Sequence, residues 1–108
     1  MDGHIDMKAL FIVVNVGFTD EVLEMIRELG VRGATILNAR GESAHHESFM
    51  GITIDEEKDM VMCIVGKEIA EKAMRAVKKN AGVATPAHGV CFTLPVEKTV
   101  GITVPTTQ

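Results

Sequence analysis

The chain has 108 residues, 46% of them hydrophobic and 24% charged, with a formal net charge of −4 at pH 7. This is the size and composition of one globular domain covering residues 1–108, with no room for a second core. The acidic balance, without any basic stripe, argues against nucleic acid as a partner, because phosphate binding is driven by clustered Lys and Arg.

The longest apolar runs, 9–14 and 60–65, fall far short of the roughly 20 residues that a membrane helix needs, so the chain is not expected to be membrane-embedded. The opening Met-Asp-Gly-His-Ile-Asp does not read as a signal sequence. Cys63 and Cys91 each sit in an apolar stretch and read as buried free thiols of a cytoplasmic protein, with a disulfide between them as the lesser alternative.

In chain order, Met7 to Val16 is β-branched and almost continuously apolar, the pattern of a central strand buried on both faces. Gly17 and Phe18 turn the chain into a helix expected from about Asp20 to Leu29. Thr19 is the expected N-cap, Asp20 and Glu21 complement the helix dipole, and Phe18 is placed to staple against Leu23. Val22, Leu23, Ile26 and Leu29 form its apolar face, and Gly30 suits its C-terminal cap. Val31 to Arg40 reads as a second strand and Met60 to Val65 as a third. Between them lie a polar loop from Gly41 to Gly51 and an acidic turn from Asp55 to Asp59. Loops of that length on a rigid scaffold are commonly binding loops. From Gly66 to Gly82 a second helix shows an apolar face of Ile69, Ala73, Ala76 and Val77, with Lys78 and Lys79 where the dipole favours cations. A small-residue loop, Val83 to Gly89, precedes a strand from Val90 to Leu94, and a last short β-like segment is expected from Thr99 to Val104.

The order strand, helix, strand, strand, helix, strand is the ferredoxin-like βαββαβ arrangement, an α+β fold whose antiparallel sheet carries two helices on one face. Its inner strands are the first and third, which are the most apolar runs here. Leu10 to Val14 offers water no polar alternation, so the face away from the helices needs a second cover, and in a chain this short another subunit must supply it.

Gly33-Ala-Thr-Ile-Leu-Asn-Ala-Arg-Gly41, the alanine- and lysine-rich second helix, and Pro95-Val-Glu97 together resemble the P-II nitrogen-regulatory signalling proteins, from Met7 to about Thr103. The resemblance implies a homotrimeric regulator. It would bind ATP or ADP, sometimes with 2-oxoglutarate, in clefts between subunits, and press the loop between strands two and three against a membrane transporter or metabolic enzyme. On that resemblance Gly41, His88 and Gly89 are the expected effector contacts, and Arg40, Glu42, His45, His46, Glu47 and Phe49 the expected partner contacts. The family's Gly-Asp-Gly-Lys in the cleft loop is replaced by Ala87-His88-Gly89-Val90, and two phosphate-holding arginines fall at Gly101 and Thr103. Each charge-assisted hydrogen bond so removed is worth about 1.5 to 3 kcal/mol to a polyphosphate. The loop is shorter than the family's usual arm, and without any tyrosine it cannot be regulated by nucleotide attachment to one.

His45 and His46 with Glu42 and Glu47 are a donor set suited to zinc or copper, but adjacent residues in an extended chain point opposite ways and rarely share one ion. His88 and Cys91 lack the second pair that a structural zinc site needs. No GxGxxG, Walker lysine, Ser-His-Asp set or pair of CxxC motifs is present, so nothing supports an enzyme. The sequence therefore reads as a regulator, with a copper- or zinc-binding trimer of similar fold and a ligand-free interaction module as alternatives.

Overall fold

The computed structural model describes residues 6–41, 48–49, 52–53 and 56–101. Among the described residues eight elements follow in order: β1 (Met7–Asn15), α1 (Thr19–Glu28), β2 (Thr35–Gly41), β3 (Ser48–Phe49), β4 (Ile52–Thr53), β5 (Glu56–Gly66), α2 (Lys67–Asn80) and β6 (Val90–Pro95). The main sheet has the order β2-β5-β1-β6 with every neighbouring pair antiparallel, so β1 and β5 are its inner strands as the sequence implied.

Both apolar periods act together in the core. Alternate residues Leu10, Ile12 and Val14 of β1 and Val61, Cys63 and Val65 of β5 are buried, and they meet Val22 and Ile26 of α1 and Ile69, Ala70, Ala73 and Val77 of α2. The intervening residues point the other way, where none of the described elements lies. Phe11 stacks on Phe92 with ring centroids 4.9 Å apart and planes 12° from parallel, within the separation at which aromatic pairs attract. Phe92 nevertheless stays 41% exposed and Leu94 52% exposed.

Helix α1 ends in a Schellman motif. Gly30, at φ +99°, donates its N–H to the carbonyl of Arg27, and Val31 donates to that of Ile26, which satisfies two carbonyls that the helix itself leaves open. Val31 is thus spent on the cap, and β2 starts at Thr35 rather than Val31. The N-terminal expectation is corrected too. Phe18 holds the N-cap position without a side-chain cap, because the Thr19 hydroxyl donates instead to Asp59 Oδ2 at 2.5 Å.

Residues 56–59 are not a turn. They extend β5, pairing Asn38 with Asp59, Ala39 with Lys58, Arg40 with Glu57 and Gly41 with Glu56. Unlike charges face one another at Arg40 and Glu57, an arrangement that supports a cross-strand ribbon. Beyond this ribbon β3, which falls inside the loop expected from Gly41 to Gly51, forms a short pair with β4, Ser48 with Thr53 and Phe49 with Ile52. On α2, Ala70 is buried and Ala76 only half so, which shifts the apolar face slightly from the one expected. Residues 96–101 are not in a strand, so the described part of the expected last strand is absent, and 102–104 lie outside the described residues.

Cys63 and Cys91 are both free. Burial pushes the Cys63 thiol from its ordinary 9.0 to about 11, and burial raises Cys91 as well. The folded protein therefore keeps the Cys63 proton to higher pH than the unfolded chain does. Stability from this group is full below about pH 9 and is lost as pH rises towards 11. Urea denaturation between pH 8 and 11 should show the midpoint falling across that window, with a shallower fall in Cys63→Ala.

Candidate functional site

At one end of the sheet four pieces of chain converge: the end of β1 at Asn15, the end of β2 at Gly41, the start of β5 at Lys58 and the 81–89 loop that leads into β6. β1 delivers Asn15 there because it is the first polar residue after an unbroken apolar run, and its register partner on β5 is Lys58.

Asn15 ties these pieces together. Its Oδ1 accepts from Lys58 Nζ at 2.5 Å, its Nδ2 donates to the carbonyl of Pro86 at 2.9 Å, and its backbone N–H donates to the carbonyl of Ala87 at 2.9 Å. Charge assistance makes the lysine bond the stronger of the side-chain pair. Next along β5, the Asp59 carboxylate accepts from Thr19 at 2.5 Å and from Asn38 Nδ2 at 3.2 Å, so the loop end of α1 and the outer strand β2 are fixed to the same corner.

The loop itself is closed at both ends. Gly89 donates its N–H to the carbonyl of Ala81 at 2.6 Å, and a Cβ added at Gly89 would lie 2.1 Å from that oxygen. Inside, Thr85 donates its backbone N–H and its hydroxyl to the carbonyl of Gly82, and His88 donates its N–H to the carbonyl of Thr85. His88 is exposed and sits at φ +48°, in the left-handed region that costs a side chain with a Cβ some strain. An open pocket of about 360 Å3 adjoins Gly89, lined also by Met74, Arg75, Val77, Lys78, Gly82, Val83 and Cys91. Arg75 and Lys78 supply its cationic side.

Over residues 7–104 the sequence matches the family Nitrogen regulatory protein P-II. The chain belongs to the P-II family. The P-II protein of Azospirillum brasilense is 26% identical over 102 residues, which cover 89% of this chain and 91% of that one. Its counterpart in Bradyrhizobium diazoefficiens is 24% identical over the same shares. Solved P-II structures share the fold. CPII, a nitrogen regulatory PII-like protein of Thiomonas intermedia K12 bound to ADP, AMP and bicarbonate, superposes with a TM-score of 0.68 at 18% identity, over 89% of this chain and 96% of its own. GlnK of B. subtilis in complex with ATP gives 0.67 at 20% identity, over 88% of each chain.

P-II proteins are regulators, and the expected site residues can be placed against this fold. Gly41, His88 and Gly89 all fall at the same corner, on the two chain segments that Asn15 and Lys58 join. Arg40 lies one residue before Gly41 on β2, exposed. Phe49 lies in β3 with its side chain outside the described residues, as Glu42, His45, His46 and Glu47 are altogether. Among the described residues no group of three His, Cys, Asp or Glu side chains converges to hold a metal, and no helix is long and apolar enough to cross a membrane.

Sequence reasoning missed Asn15, Lys58 and Asp59. Their signal was faint: one polar residue closing an apolar strand, and one cation inside an acidic run.

The two glycines differ in what they tolerate. A Cβ at Gly41 would meet Lys58 Cε at 2.7 Å, the far end of a flexible side chain, whereas at Gly89 it would meet fixed backbone. Gly89→Ala should cost about 1 to 3 kcal/mol and lower the melting temperature by about 5 °C or more, while Gly41→Ala should cost less than about 1 kcal/mol. Differential scanning calorimetry of the two variants checks the ranking.

Proposed function

We propose that this P-II protein works as a homotrimer, receives a small effector at the corner formed by Gly41, His88 and Gly89, and controls a target protein through the segment from Arg40 to Gly51. The observation that carries this reading is the hydrogen-bonded junction at Asn15. It joins the effector loop to the base of the partner segment, so a ligand that prefers one arrangement of the corner also biases that segment. Arg40, Glu42, His45, His46, Glu47 and Phe49 are the partner contacts in this reading, and the target is a membrane transporter or a metabolic enzyme.

Adenine nucleotide is the leading effector, supported by the ATP, ADP and AMP bound to the related structures. Val90 stands where the family's phosphate lysine would be, and the cations placed beside the loop are Lys58, which bonds to Asn15, and Arg75 and Lys78, which line the pocket next to Gly89. Fewer charge-assisted bonds to phosphate favour the less charged members of the series. A ligand that binds only the folded state at about 100 times its Kd adds roughly 2.7 kcal/mol of stability. Thermal unfolding with ATP, ADP or AMP should therefore show an upward shift, and His88→Ala should diminish it. If none of the three moves the midpoint, the nucleotide reading fails.

The trimer reading is supported by the face of the sheet that the helices leave open. Phe11, Val13, Met62, Val90, Phe92 and Leu94 lie on it, an apolar patch of a kind that monomers rarely display. Light scattering after gel filtration should give three times the 11.7 kDa chain mass. Phe92→Asp should lower that mass to the monomer value with helix content retained.

A further inference from the structure

We infer that Asn15 is a positioning residue that couples the Pro86–Gly89 loop to the end of β2 at Gly41 through the Lys58 ammonium. The inference rests on the regulatory reading above, but its core is a property of the unliganded protein.

The carboxamide is matched to its two partners in a way that no similar side chain reproduces. The ammonium of Lys58 can only donate and the carbonyl of Pro86 can only accept, so the amide must present Oδ1 to the first and Nδ2 to the second. Rotating it by half a turn would break both bonds at once. The amide's orientation is thus held by both partners, and loss of either one loosens its hold on the other. An aspartate would keep the lysine arm and lose the proline arm; an alanine would lose both.

The lysine end is guided as well. The Lys58 stem lies across Gly41, where a Cβ would meet its Cγ at 3.2 Å and its Cδ at 3.6 Å. The missing side chain at Gly41 leaves the space through which the ammonium reaches Asn15. At the other end, the carbonyls of Pro86 and Ala87 both accept from Asn15, and Thr85 and His88 are bonded to one another across them. A displacement of the β2 end is therefore conveyed through Lys58 and Asn15 to the backbone beside His88, and a ligand on His88 acts along the same contacts in reverse.

Amide hydrogen exchange, read at His88 and Asn15 without ligand, tests the coupling. Lys58→Met should speed exchange of both amides roughly threefold to tenfold, although neither is bonded to the lysine. In an Asn15→Asp background, which keeps the side chain's shape and has already lost the proline arm, Lys58→Met should add nothing at His88. Asn15→Ala serves as the uncharged counterpart and should behave alike. If Lys58→Met leaves His88 unchanged in the otherwise native protein, or speeds it equally in the Asn15→Asp background, the relay is overturned and Asn15 is only a loop anchor. With ATP added, protection should change at Gly41 and Lys58 in the native protein and not in Asn15→Asp. Loss of the ATP response everywhere, with the Lys58→Met effect intact, overturns the nucleotide reading and leaves the relay standing.

Discussion

The constraint on which this fold depends is the apolar character of β1 on both faces. Leu10, Ile12 and Val14 find their cover within the chain, under α1 and α2, while Phe11 and Val13 face out with Phe92, Val90 and Met62 beside them. A sheet so made is half a core. Its helix side fixes the tertiary structure and holds the strands in register, and its open side is left without cover by any described element. The same register carries β1 to its last residue at the corner where the candidate site lies, so the packing that organises the domain also decides which polar group arrives there.

That polar group is Asn15, and its placement explains how the corner is ordered. Its three hydrogen bonds reach β5 and the loop before β6. Asp59 repeats the arrangement one residue further along β5, gathering Thr19 and Asn38. Polar networks of this kind specify one geometry when every member is satisfied, and no buried side-chain nitrogen or oxygen among the described residues lacks a partner.

Much of the fold was legible in the sequence because it is written in short-range patterns. The apolar runs of β1 and β5, the 3.6-residue period of both helices and the glycine after α1 each announce an element locally, and together they gave the βαββαβ order and its inner strands. What the sequence hid lies at longer range. Val31 looks like strand but closes a Schellman motif, Thr19 looks like a cap but bonds to a residue 40 positions away, and the charged residues 56–59 look like a turn but pair with β2. The resemblance to the P-II family brought Gly41, His88 and Gly89 to attention, while Asn15 went unnoticed because its partners Lys58 and Pro86 are 43 and 71 residues distant.

The closed ends of the 81–89 loop have a consequence for molecular recognition. With Gly89 bonded to Ala81 and the turns between them pinned by Thr85 and His88, the loop's conformational freedom is surrendered when the chain folds, not when something docks. A visiting molecule then meets a preshaped edge and keeps the full value of the contacts it makes there. Substitutions inside the loop would act first on how firmly that edge is held, so weak recognition in such a variant would reflect a blurred template and not a missing contact.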